Sequence, residues 1–208
     1  MSSSSNTAYS AAKSRTLTIT DLMTIGIFFV INLVAGVAIS FIGITPVTYV
    51  MITSAQALIL GIPMMLFLAK VHKPGMVLIF LALGGIASLL LGLGVWALVL
   101  SLVMAIIAEL VLRAGKYESS IHSIIAYAFM AVAPTASYIP LFFATQQYVE
   151  DSDIESNYGA NFADGLASIG QMSWLFAIIV IVTFICGIFG GLLGRRIFTK
   201  HFERAGIA

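Results

Sequence analysis

Charge is scarce in this chain of 208 residues: ten Lys or Arg and nine Asp or Glu make up 9% of it. A soluble domain carries about a quarter of its residues as charges. So few ions could not cover a water-exposed surface, and a soluble domain is excluded. Cysteine is scarcer still. The lone Cys186 sits in an apolar run, which rules out an intramolecular disulfide framework and reads as a small filler of an apolar interior. No GxxxxGK[ST] occurs, so the chain does not bind ATP through a P-loop of its own. Neither HExxH nor a paired Cys/His spacing occurs to suggest a metal site. An intramembrane serine protease would need a GxSG-type nucleophile and a His at matching depth. GIAS at 85–88 does not fit, and His72, His122 and His201 all fall near basic turns or the C-terminal end. The expectation is a protein that is not an enzyme, with no cofactor, no metal and no nucleic-acid partner.

What is present is apolar length. Sixty per cent of the residues are hydrophobic, and the mean hydropathy is +1.06. A spanning helix needs about 20 apolar residues. Six runs qualify, at approximately 20–42, 45–69, 75–92, 95–113, 119–145 and 171–198. The third and fourth are separated only by Gly92-Leu93-Gly94, but together they would cross a bilayer about twice. Residues 1–16 form a polar, Ser-rich stretch read as a flexible cytoplasmic tail. The run that follows is too long for the h-region of a signal peptide, about 7–15 residues. The reading is therefore an all-α membrane protein, with a six-helix membrane domain over 17–204.

Orientation comes from the basic residues. Lys13, Arg15, Lys70, Lys73, Arg113, Lys116, Arg195, Arg196, Lys200 and Arg204 all fall in the tails or the even-numbered turns of a six-helix chain. The positive-inside rule then places both termini in the cytoplasm. The acidic residues do the reverse. Glu150, Asp151, Asp153, Glu155 and Asp164 gather in one segment, 146–170, which becomes a long external loop. Loops of that length are commonly functional or disordered, and a lid over an external pocket is the expectation here.

Polar residues at membrane depth narrow the site. Asn32 and Gln56 fall near the middle of the first two runs, where an amide must find a partner. They either hold the bundle together or face a ligand. Pro134 and Pro140 frame Thr135, Ser137 and Tyr138, and Pro63 interrupts the second run; prolines at depth free carbonyls that a neighbour or cavity must satisfy. Glu109 precedes Arg113 by four residues, the spacing of a helical ion pair or of a contact to a cytoplasmic partner. At the outer ends stand Tyr49, Trp96, Tyr138, Tyr148 and Trp174, with Gln146, Gln147 and Gln171 beside them. Rings at an interface are ordinarily an aromatic belt. Rings from several helices beside amides also suit a shallow pocket for a planar organic ligand. The candidate substrate-binding residues are thus Asn32, Tyr49, Gln56, Trp96, Tyr138, Gln146, Gln171 and Trp174. In the last run, Gly187, Gly190, Gly191 and Gly194 make two overlapping GxxxG spacings that permit close helix approach.

Several stretches taken in order resemble one family. TLTITDLMTIGIFFVI leads the first helix, KVHKPG turns between the second and third, Glu109 precedes a basic loop, and GIFGGLLGRR ends the sixth helix. This order is similar to the S component of energy-coupling-factor (ECF) transporters, most of all the subgroup labelled MptD-like or Trep_Strep. The resemblance implies a membrane-embedded binding protein for a vitamin or other scarce nutrient in the bacterial plasma membrane. It implies a partner ECF module of one transmembrane T protein and two ATPases, onto which the bundle topples to deliver its substrate. In that family, docking uses small residues of the first helix, typically AxxxA. The matching positions here are Leu22, Gly26 and Val30, of which only Gly26 is small. A stand-alone facilitator and a structural or sensory membrane protein remain alternatives. The absence of an outer Lys or Arg disfavours a strongly anionic ligand, leaving a vitamin, a purine-like base or a tetrapyrrole among the choices.

Overall fold

The computed structural model describes residues 17–71, 73–151 and 154–201, with the side chains of 151 and 198–201 excepted. The expected tail 1–16, His72, Asp153 and Arg204 lie outside the described residues. Among the described residues every regular element is a helix: α1 Ile19–Ser40, α2 Pro46–Val50, α3 Ile52–Ile59, α4 Gly61–Lys70, α5 Met76–Leu90 and α6 Val95–Ala114 come first. After them come α7 Ser120–Val132, a 3-10 segment Ala133–Tyr138, α8 Ile139–Phe143, α9 Thr145–Asp151, α10 Ile154–Tyr158, α11 Ala160–Gly170 and α12 Trp174–His201.

Among the described residues four stretches are long and apolar enough to cross a membrane: Ile19–Ser40, Val95–Ala114, Ser120–Phe143 and Trp174–Ile197. A fifth is the pair α3 and α4, bent by 51° at its break. The second of the six expected runs is therefore a broken helix. Pro63 accounts for part of the bend, because it has no N–H to donate back to the Ile59 carbonyl. The third run forms α5, 15 residues long, or about 22 Å at about 1.5 Å per residue. It falls short of a hydrocarbon core of about 30 Å. The described residues thus hold four to five candidate spans and one shorter apolar helix.

Local chemistry sets the ends of these helices. Thr18 and Asp21 form a reciprocal capping box at the start of α1, and Asp21 also accepts from Lys73 Nζ at 2.6 Å. Thr45 and Thr48 do the same for α2, with Pro46 in its first turn. Between α5 and α6, Gly92 and Gly94 sit at φ 77° and 85°, where a Cβ would be strained.

Close helix contact centres on α12. A Cβ on Gly190 would strike the Ala57 and Leu58 carbonyls, and one on Gly194 would strike Gly61. On its neighbouring face, Gly187 and Gly191 lie against Ala128 and Ile124 of α7. The two GxxxG spacings thus serve two different neighbours, the bent pair and α7.

The segment 146–170, expected as a loop, is helical. Helices α9 to α11 pack through Ile154, Phe162, Ala163 and Leu166 onto Val50, Tyr138, Leu141 and Phe142. Glu150, Glu155 and Asp164 are left on the exposed side of this cap. The apolar residues between the acids, not the acids, decide its conformation.

Candidate functional site

A cavity of about 320 Å³ opens among α1, the bent pair, α5, α6 and the α7 segment. It lies in the half of the bundle that carries the turns 41–45 and 91–94, away from the basic turns after α4 and α6. Its floor is Met64, Phe80, Leu81 and Met130, which belong to the main buried core. Its volume is at the lower end of the range of about 300–1,000 Å³ typical of small-molecule sites.

Polar atoms are few and held in place. Asn32 Nδ2 donates to the Phe28 carbonyl at 2.9 Å, and Gln56 Nε2 donates to the Gly36 carbonyl at 2.9 Å. A carbonyl cannot donate, so each contact must be made by the NH2 end of the amide. That fixes the orientation of both side chains without appeal to their own O/N assignment. The oxygen ends, Oδ1 and Oε1, have no protein donor among the described residues. Tyr127 donates its hydroxyl to the Ala57 carbonyl at 2.7 Å and is buried at the cavity wall. Ser88 and Ser101 add two hydroxyls. Among the described residues no charged side chain lines the cavity.

The structure divides the sequence candidates into two groups. Asn32 and Gln56 come together in the cavity; Tyr49, Trp96, Tyr138, Gln146, Gln171 and Trp174 do not line it. Tyr138 donates to the Tyr49 carbonyl at 2.8 Å, and the hydroxyls of Tyr49 and Tyr148 meet at 3.0 Å. With Tyr158 stacked on Phe162, these rings fill their own space beneath the acidic cap. Burial, then the neighbouring Tyr49, pushes the Tyr148 hydroxyl well above its usual range, so it stays a neutral hydrogen-bonding group. Trp96 and Trp174 are 50% and 61% exposed, and Gln146 and Gln171 are exposed. No described residue of the cap lines the cavity, and those described pack on the ring cluster instead.

Sequence reading missed Ser88, Ser101 and Tyr127 as wall residues. Each is a single hydroxyl in an apolar stretch, and that signal was present. What was absent was the helix rotation that turns it inward.

At the opposite end of the bundle, Glu109 is buried at 6% exposure. Its Oε1 accepts from the Gly75 N–H at 2.9 Å and from the Tyr117 hydroxyl at 2.6 Å. The expected Arg113 partner stands farther off, at 4.0 Å. Gly75 begins α5 at φ 94°, so the carboxylate ties α6 to the N-terminus of α5, where negative charge is favoured. Burial, reinforced by Glu109, pushes the Tyr117 hydroxyl up to about 12. It therefore remains a donor to the carboxylate at ordinary pH.

A family model described as "Hypothetical bacterial integral membrane protein (Trep_Strep)" matches residues 19–204. The chain belongs to the Trep_Strep family. It is an integral membrane protein with several apolar helices, and α1 to α12 all lie within the matched residues. Comparison with curated proteins and with solved structures returns no match. The Trep_Strep assignment thus establishes membrane integration, and the cavity is the feature from which a function can be argued.

Proposed function

We propose that this Trep_Strep protein is the substrate-binding membrane subunit, the S component, of an ECF-type ATP-driven importer. In this reading the six apolar runs are six spans, short α5 included, with both termini cytoplasmic in the bacterial plasma membrane. The cavity faces the outside and captures a vitamin or other scarce nutrient. The partner module, one T protein and two ATPases, supplies ATP hydrolysis. The observation that carries the proposal is the cavity: an uncharged hollow in which Asn32 and Gln56 are anchored by backbone carbonyls. Amides so anchored are pre-organised for a ligand, since ordering them costs nothing further on binding.

The face offered for docking is α1. Leu22 and Val30 are 49% and 55% exposed, and nothing lies within 4 Å of a Cβ built on Gly26 between them. A partner helix could approach closely there. A bundle with so little charge at depth can also tilt in lipid without burying ions, each of which would cost at least ~2.5 kcal/mol.

The test is native mass spectrometry of the detergent-purified protein, alone and co-expressed with an ECF module. A small molecule that co-purifies, and is lost in Asn32→Leu or Gln56→Leu, together with module association lost in Gly26→Leu, supports the importer subunit. Uptake into vesicles without any ATPase would replace it with a facilitator. Neither ligand nor module would leave a structural or sensory protein.

A further inference from the structure

The chemistry of the cavity restricts its ligand more than its shape does. We infer that it selects a neutral molecule bearing N–H or O–H donors, such as a small heterocycle with an unsubstituted ring nitrogen; this rests on the cavity being the ligand site proposed above. Each amide spends one N–H on a backbone carbonyl, Asn32 on Phe28 and Gln56 on Gly36. Gln56 Nε2 has a second, longer contact to Ser40 Oγ at 3.4 Å, and Ser40 Oγ itself donates to the Gly36 carbonyl. What the amides have left for a ligand is therefore two acceptor oxygens against one N–H, the second of Asn32. Two fixed acceptors on a mainly apolar wall reward a donor and leave an aprotic ligand facing two carbonyl oxygens it cannot satisfy.

The same wall excludes ions of either sign. An anion would meet two amide oxygens with no Lys, Arg or His in the lining. A cation would find acceptors but no carboxylate, and burying an unpaired charge in an apolar site is strongly unfavourable. Ser88 and Ser101, the adaptable groups of the lining, can donate or accept. They give room for a ligand acceptor beside its donors. Tyr127 contributes an edge and no free proton, because its hydroxyl is committed to Ala57. Sites built to hydrogen-bond a substrate group reject the analogue lacking it far better than apolar sites reject an added methylene.

The experiment uses the whole chain in detergent and matched fragments: benzimidazole with 1-methylbenzimidazole, and 2-pyridone with N-methyl-2-pyridone. Benzoate and benzamidine serve as the anionic and cationic counterparts. Binding is read by ligand-observed NMR on wild type and on Asn32→Leu and Gln56→Leu. The expected result is a preference of about tenfold for the N–H member of each pair, with the two ions weaker than either, and loss of the preference in each variant. The wild-type comparison stands even if a variant fails to fold. Equal binding within pairs, tighter binding of benzoate or benzamidine, or no binding by any fragment overturns the inference. Donor preference without module association would remove the importer and keep this selectivity; module association without donor preference would do the reverse.

Discussion

Helix α1 and the Ser120–Phe143 segment are close in length, 22 and 24 residues, and opposite in surroundings. Helix α1 is the more apolar of the two, yet only 11% of an 18-residue stretch of it is buried, against 61% for the other. In water the more apolar segment would form the core. In lipid it has no reason to leave the surface, because the acyl chains are as apolar as Leu or Ile. What moves inside is what lipid cannot satisfy. The Ser120–Phe143 segment carries Pro134, Pro140, a 3-10 stretch and the hydroxyls of Tyr127, Thr135 and Tyr138, each of which finds a carbonyl partner. The cavity lies between the two, walled on one side by α1 and on the other by Tyr127, Met130 and Pro134.

One kind of substitution, at a packed position of α12 and at an open position of α1, tests whether lipid-facing and buried helix faces differ in this way. The largest effect is expected from Gly190→Leu, whose side chain would occupy the Ala57 and Leu58 carbonyls. Overpacking typically costs about 1–3 kcal/mol, and against backbone that cannot yield the loss should exceed that range, read as failure to elute as a monodisperse species. Gly26→Leu, into open space on α1, should leave the thermal midpoint within the scatter of neutral surface changes, about ±0.5 kcal/mol. Equal damage from both would break the comparison.

Next is Val34→Lys, at a position on α1 that is 64% exposed. A lysine at the centre of a span should cost about 2.5–3.5 kcal/mol in an insertion assay. Insertion as efficient as wild type would show that this face meets water or protein rather than lipid. Glu109→Leu follows. It strands the Gly75 N–H and the Tyr117 hydroxyl, and the loss should be about 1–3 kcal/mol in detergent denaturation. Arg113→Leu should cost less, because the guanidinium is 57% exposed and only at 4.0 Å. The smallest effect that should still be measurable is Tyr127→Phe, which leaves the Ala57 carbonyl without its 2.7 Å donor, at about 1 kcal/mol.

Much of the scaffold was legible in advance. The apolar runs, the break at 91–94 and the close-packing role of Gly187, Gly190, Gly191 and Gly194 all follow from residue type and spacing. The acidic segment was not. Its charges suggested a loop, whereas Ile154, Phe162 and Leu166 fold it down as helices. The site was half legible. Asn32 and Gln56 were readable because an amide at depth must be satisfied. Tyr49 and Tyr138 were misleading companions, since rings at equal depth can pack on one another as readily as on a ligand, and here their hydroxyls and faces are used up internally.

The sequence by itself determined that this chain lives in a membrane, because a chain with 9% charge cannot be covered by water. It also determined where its helices can touch most closely, because only glycine leaves that space. Tertiary structure alone decided which polar atoms are spent and which are free. The Gly36 carbonyl that claims the Gln56 amide nitrogen is twenty residues away in the chain, and only the crossing of α1 with the bent pair brings them together and leaves an oxygen facing the cavity.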